Sequence, residues 1–158
     1  MELTKTYRFE ASHVLPKHPG KCSRLHGHSW VLHVSVEGPI NADTGFVMDF
    51  GDISNVVQPL VARLDHRHLG TWDDIDTFGM DQWGAPGLPH DFYPTSENLL
   101  WWIAGQIGQQ LDIFTKKRNP APDEDNDIKL AHCWSKLPIE ETCTSLATLT
   151  REEFDATR

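Results

Sequence analysis

The stretch Glu2-Leu-Thr-Lys-Thr-Tyr-Arg-Phe-Glu-Ala-Ser-His13 alternates without a break. Leu3, Lys5, Tyr7, Phe9, Ala11 and His13 share one face; Glu2, Thr4, Thr6, Arg8, Glu10 and Ser12 share the other. Successive side chains of a strand point to opposite sides, so this reads as a half-buried strand with one polar face. Its inner face ends in His13. A second alternating run begins at His28, with His28, Trp30, Leu32, Val34 and Val36 as the apolar set and Ser29, His33, Ser35 and Glu37 opposite. His28 has the parity of the core face, and His26 shares it if the extended geometry runs back through Gly27. Gly27 is expected to let the backbone turn tightly there. Three histidines thus project from one side of a strand pair. His33 falls on the polar side and reads as a surface or interface residue.

Between the two runs lies a loop, residues 14–25, with Pro16, Pro19 and Gly20 and the cations Lys17, Lys21 and Arg24. It leads into Cys22-Ser-Arg-Leu-His-Gly-His28. Imidazole nitrogens suit zinc better than calcium or magnesium, which take oxygen ligands, and three histidines with a fourth position open is the pattern of a catalytic zinc site. His13, His26 and His28 are therefore the candidate metal ligands. Cys22 reads in two ways. It closes the coordination shell of a structural site, or it stands beside the metal as a catalytic thiol whose thiolate the neighbouring cations favour.

The remaining segments read as support. Asp49 is a helix N-cap candidate, with Asp52 in the first turn, and Phe50, Ile53, Val56, Val57, Leu60 and Leu64 give helical spacing over about 50–64. Pro59 predicts a kink or break in that helix. Asp65-His66 at its end is an acid–base pair or simply a histidine suiting the helix dipole. Pro94-Thr-Ser-Glu97 starts a second helix, capped by Thr95 or Ser96, with Leu99, Ile103, Ile107 and Leu111 carrying it to about 112. Residues 70–94 and 115–127 are long loops, the first with the aromatics Trp72, Phe78, Trp83, Phe92 and Tyr93. Strands are predicted over 128–135 and 143–150, then a polar tail. The order strand, strand, helix, helix, strand, strand is α+β, an antiparallel sheet with two helices on one face and its other face polar or against another subunit. Spacing alone does not single out Glu141.

The chain has 158 residues, enough for one domain spanning 1–158, and a formal net charge of -9 that excludes a broad nucleic-acid footprint or an anionic membrane surface as partner. No run of about 18 apolar residues is long enough to span a bilayer. Met1–Lys5 shows no signal-peptide pattern, and the three cysteines, Cys22, Cys133 and Cys143, suit a reducing cytoplasm. Cys133 reads as a small buried hydrophobe.

With Phe9-Glu-Ala-Ser-His13, Cys22-Ser-Arg-Leu-His-Gly-His28, Thr44-Gly-Phe-Val-Met-Asp-Phe50, Leu64-Asp-His66, Pro94-Thr-Ser-Glu97 and Glu141-Thr-Cys-Thr144 in this order, the chain resembles the 6-pyruvoyl-tetrahydropterin synthase superfamily, and within it the 6-carboxy-tetrahydropterin synthase branch of queuosine biosynthesis. The resemblance implies a tunnelling fold in which ββααββ subunits join their sheets into a ring, as trimers or pairs of trimers with active sites where subunits meet. It implies zinc on His13, His26 and His28, Cys22 as catalytic base, and Asp65 and His66 as a proton-relay pair contributed by the neighbouring subunit. It implies that Glu141 anchors the pterin ring and that Thr95 belongs to the same pocket. The implied reaction converts 7,8-dihydroneopterin triphosphate to 6-carboxy-tetrahydropterin, acetaldehyde and triphosphate for 7-deazapurine synthesis. The basic loop residues Lys17, Lys21 and Arg24 are candidates to meet the triphosphate. Three other readings compete: the pyruvoyl enzyme, which keeps the carbon skeleton whole; an aldolase-like member, which usually carries glutamate near the Cys22 position; and a non-catalytic zinc module closed by Cys22. The enlarged loops at about 70–94 and 115–127 depart from the family pattern.

Overall fold

A computed structural model describes residues 1–70, 84–85, 88–89, 91–118 and 134–157, apart from the side chains of 111–118. Among them the chain forms β1 (Glu2–His13), a short 3-10 turn (Lys21–Ser23), β2 (His26–Glu37), α1 (Phe50–Leu64), β3 (Arg67–Leu69), α2 (Ser96–Arg118), β4 (Trp134–Thr142), β5 (Ser145–Thr150) and α3 (Arg151–Ala156). The strands make one five-stranded sheet in the order β3-β1-β2-β4-β5. β1 with β2, β2 with β4 and β4 with β5 are antiparallel; β3 lies parallel to β1. The fold is α+β.

The strand parity read from the sequence holds. In the β1–β2 register Leu3 faces Val36, Tyr7 faces Leu32, Phe9 faces Trp30, Ala11 faces His28 and His13 faces His26. Directly opposed residues lie on the same side of a sheet, so this set forms one face. That face packs against the helices: Phe9, Trp30, Leu32, Leu137 and Ile139 from the sheet meet Ile53, Val57, Leu60 and Leu64 from α1 and Leu99, Ile103 and Ile107 from α2. The other face carries Thr4, Thr6, Arg8 and Glu10, all exposed.

Asp49 caps α1 as expected, its carboxylate accepting the Gly51 N–H at 2.6 Å. Pro59 does not break the helix, which runs unbroken to Leu64. Val56, Val57, Leu60 and Val61 around it are all buried, and their packing outweighs the local cost of about 3 kcal/mol for an interior proline. The second helix is longer than its apolar periodicity indicates, reaching Arg118, so residues 115–118 of the expected loop belong to it. Thr95 supplies its cap, the hydroxyl accepting the Asn98 N–H at 3.3 Å.

Three expectations change. The sheet is mixed rather than purely antiparallel, because β3 adds a parallel edge strand where the sequence reading places only a helix end. The fourth strand lies later than 128–135: residues 128–133 are outside the described part, and β4 runs from Trp134 to Thr142 through Pro138. Pro138 pairs with Thr148 of β5, while the β2–β4 pairing is interrupted between Lys136 and Ile139, as a residue without an N–H requires. Gly27 is not at a turn but inside β2. A Cβ there would meet the Ala11 carbonyl oxygen at 3.2 Å, so the glycine serves close approach of two strands. The polar tail forms α3, closed by a reciprocal capping box between Thr150 and Glu153. Cys133, the aromatics Trp72, Phe78 and Trp83, and most of the two long loops lie outside the described residues.

Ile103 is fully buried between α2 and the sheet. Ile103→Ala is expected to lower the unfolding free energy by about 2–5 kcal/mol in urea denaturation. A loss below about 1 kcal/mol would mean that α2 does not close the core.

Candidate metal centre and active site

The β1–β2 register brings the last residue of β1 against the first of β2, and the site is built at that corner. His13 is fully buried, and its Nδ1–H donates to the Pro94 carbonyl at 2.8 Å. The His26 Nδ1–H donates to the Arg24 carbonyl at 2.7 Å. With Nδ1 protonated, each ring turns an Nε2 lone pair inward, and the two Nε2 atoms lie 3.0 Å apart. Two lone pairs at that distance repel unless a proton or a cation lies between them. His28 Nε2 is buried without a hydrogen bond, 3.3 Å from Glu141 Oε1. The same oxygen is 3.2 Å from His13 Nε2. One donor atom from each of His13, His26, His28 and Glu141 falls within 4.8 Å of all the others. Three imidazoles and a carboxylate with converging donors, two of the imidazoles with tautomers fixed by backbone carbonyls, fit a divalent metal ion.

The electrostatics agree with the geometry. Glu141 is held down to about 2, chiefly by the His13 imidazole 3.2 Å away and further by the Ser96 hydroxyl, against the opposing effect of burial. His28 is shifted below its ordinary value, chiefly by burial, with Glu141 pulling the other way. The carboxylate is therefore ionised and the imidazole neutral near pH 7, the states a metal needs. Trp30 walls the cluster, its ring edge-on to His13 at 5.4 Å and to His28 at 5.6 Å between centroids.

The three predicted ligands thus come together, and Glu141 joins them. Its place is not legible locally; β4 lies beside β2, and only that pairing carries the acid to His28. Ser96 Oγ donates to Glu141 Oε2 at 2.8 Å and fixes its rotamer. Sequence reading names Thr95 here, whose hydroxyl caps α2 instead. The available signal was Pro94-Thr-Ser-Glu97 itself, which contains both hydroxyls and the carbonyl that orients His13.

Cys22 sits in the 3-10 turn, partly buried, and is not among the converging donors. This disfavours the closed structural site. Its carbonyl accepts the Leu15 N–H at 2.9 Å, which pins the turn to the end of β1. Asp65 and His66 are elsewhere. Asp65 Oδ1 accepts the Glu10 N–H at 2.8 Å and lies 3.0 Å from His66 Nδ1. These contacts, the Glu10 amide foremost, hold its carboxyl below the usual range. His66 adopts φ +57°, its N–H donates to the Glu10 carbonyl at 2.6 Å, and its side chain is 77% exposed. It lines an open cleft of about 410 Å³ with Glu10, Ser12, Ser29, Arg67 and His68, and the same cleft is bordered by Ala11, Gly27 and the candidate ligand His28. Glu10, Ser12 and Ser29 have the opposite strand parity to the three ligands, and neither Asp65 nor His66 is among the converging donors.

The family model for 6-pyruvoyl tetrahydropterin synthase matches residues 2–152. A 6-carboxy-5,6,7,8-tetrahydropterin synthase of Synechocystis is 37% identical over 148 residues, covering 90% of this chain and 88% of that one. A dihydroneopterin monophosphate aldolase of Pyrococcus furiosus is 31% identical over 126 residues, covering 80% and 91%. Among solved structures, the 6-pyruvoyl tetrahydropterin synthase of Caenorhabditis elegans superposes with a TM-score of 0.65 at 20% identity, covering 95% of this chain and 94% of that one, a likeness of fold.

Glu141 and His28 both have folded-state values below their ordinary ones, so in metal-free protein each binds fewer protons folded than unfolded, and stability falls as pH falls. The His28 contribution is present above 6.5 and is lost below it; that of Glu141 is lost between 4.5 and about 2. Glu141→Gln is expected to flatten the acid limb of stability between those last two values, measured by denaturant titration of chelated protein. An unchanged limb would refute the placement of Glu141.

Proposed function

The chain belongs to the 6-pyruvoyl tetrahydropterin synthase family, and we propose that it is the 6-carboxy-5,6,7,8-tetrahydropterin synthase of that family. It would convert 7,8-dihydroneopterin triphosphate to 6-carboxy-tetrahydropterin, acetaldehyde and triphosphate, as a cytoplasmic step toward 7-deazapurines such as the queuosine precursor. The observation that carries this reading is the convergence of three imidazoles and a carboxylate on one point, two of the imidazoles with tautomers fixed by backbone carbonyls.

His13, His26 and His28 would hold zinc, with the Glu141 carboxylate turned toward the same point. Zinc bound there supplies Lewis-acid polarisation of the substrate's side-chain oxygens, which acidifies the adjacent C–H bonds. Cys22, on the loop between two of the ligands, would be the base that takes such a proton. Glu141, ionised and fixed by Ser96, offers a carboxylate able to accept the amino and ring N–H groups of a pterin. Thr95 is assigned to the same pocket through its place next to Ser96. Asp65 Oδ1 lies 3.0 Å from His66 Nδ1 and would orient the imidazole, so that the pair could act as a proton relay. By the family resemblance, the dyad would serve the metal site of a neighbouring copy. The working unit is then a homo-oligomer, trimer or hexamer, with sites shared between subunits.

The aldolase relative gives the competing reading a specific basis. Aldolase-like members usually carry glutamate near the position of Cys22, and the cysteine here favours the synthase. Incubation with zinc and dihydroneopterin triphosphate separates the readings: acetaldehyde with 6-carboxy-tetrahydropterin is expected, whereas triphosphate release with an intact side chain would mean the pyruvoyl reaction. Cys22→Ala is expected to keep its zinc and lose turnover by at least about 100-fold, the scale of a general base. Unaltered turnover would remove the thiol from the mechanism.

A further inference from the structure

The segment that joins ligand His13 to ligand His26 has a charge unlike the rest of the chain. From Val14 to Leu25 it carries Lys17, His18, Lys21 and Arg24 and no carboxylate, in a protein of net charge -9. Lys17, Lys21 and Arg24 are all exposed, and among the described residues none of them forms an ion pair with an acid. The segment is a closed strap. Its neck is the Leu15 N–H to Cys22 carbonyl bond at 2.9 Å, and its turns are held by His18 N–H to Leu15, Ser23 N–H to Gly20 and Arg24 N–H to Lys21 bonds of 2.8, 3.2 and 3.0 Å. The Lys17 ammonium sits 5.8 Å from the centre of the Tyr93 ring, next to Pro94, whose carbonyl orients His13. Both the strap and the Tyr93–Pro94 segment thus border the metal cluster.

A substrate with a triphosphate tail approaches this protein against its overall field, and a local cationic concavity is what overcomes such repulsion. Lysine ammonium and the planar arginine fork are the side chains that bind phosphate oxygens. Resting on the proposed function, we infer that the strap Leu15–Leu25 is the triphosphate subsite, with Lys17, Lys21 and Arg24 holding the tail while the metal cluster and Glu141 hold the reacting end. The strap then has two tasks in one loop. Cys22 serves the substrate side chain, and the cations that flank it in sequence fix the leaving polyphosphate.

The test is binding of inorganic triphosphate to the zinc-loaded protein by calorimetry, alongside steady-state kinetics with dihydroneopterin triphosphate. The double variant Lys21→Glu/Arg24→Glu is expected to weaken triphosphate binding by at least about tenfold and to raise KM by a similar factor, with metal content and circular dichroism unchanged. Lys21→Gln and Arg24→Gln, which remove charge without reversing it, are expected to act in the same direction. Arg8→Glu makes the same kind of charge change on the opposite sheet face and is expected to leave triphosphate binding as it was. Unchanged affinity in the strap variants, an equal loss in Arg8→Glu, or no triphosphate binding by the unsubstituted protein would each overturn the inference. Turnover with unaffected strap variants would sink the subsite and leave the proposed function standing. Strap-dependent triphosphate binding without turnover would do the reverse.

Discussion

The antiparallel register of β1 and β2 is the constraint on which the site depends. It sets His13 against His26 and Ala11 against His28, and the same ladder sets Phe9 against Trp30 and Tyr7 against Leu32. Because side chains alternate with a period of two, a slip of one residue would send the imidazoles to the polar face and Trp30 into water. Burial of the aromatic and aliphatic pairs opposes that slip, so the core fixes the geometry of the metal donors. Trp30 joins the two functions in one side chain. It is fully buried, and its ring is also the wall against which His13 and His28 are stacked edge-on.

What the sequence reveals follows from where each signal is stored. The ligands were legible because parity is local: His13 and His28 continue apolar alternations that can be counted along the chain. The cap at Asp49 was legible for the same reason. The β3 strand was not, because its three residues, Arg67–Leu69, gain their pairing from the distant β1 and, at His68, from Gly84, after His66 turns the chain in a left-handed conformation. β4 was misplaced because Pro138 argues against a strand interior, a rule that fails here only because the ladder to β2 is interrupted beside it. Glu141 carries no local mark at all. Its meaning arises from β4 lying next to β2, a contact more than a hundred residues long in sequence, and it entered the sequence reading only through family resemblance.

The helix-facing side of the β1–β2 pair carries the converging donors, and the cleft lined by His66 takes in Glu10, Ser12 and Ser29 of the other side and reaches His28. They meet in the backbone of one residue. Glu10 donates its N–H to Asp65 and accepts from the His66 N–H, three positions before ligand His13. One strand therefore positions the metal donors of its own copy and, in the shared-site arrangement proposed above, the relay of a second.

Four electron-rich atoms turned toward one point is an arrangement that a flexible chain would relax. This one is held by groups outside the cluster: the Pro94 carbonyl on His13, the Arg24 carbonyl on His26 and the Ser96 hydroxyl on Glu141. Each belongs to a segment with a further role in the proposed site. Arg24 lies in the cationic strap, and Pro94 and Ser96 frame the capped start of α2. Any movement of the strap that follows binding of a polyanion would be felt at His26 through the Arg24 carbonyl, and any movement of the α2 start would be felt at His13 and Glu141. In the site proposed above, the supports that fix donor orientation would also be walls of the substrate pocket, so binding of the substrate and orientation of the metal donors would not be separable events.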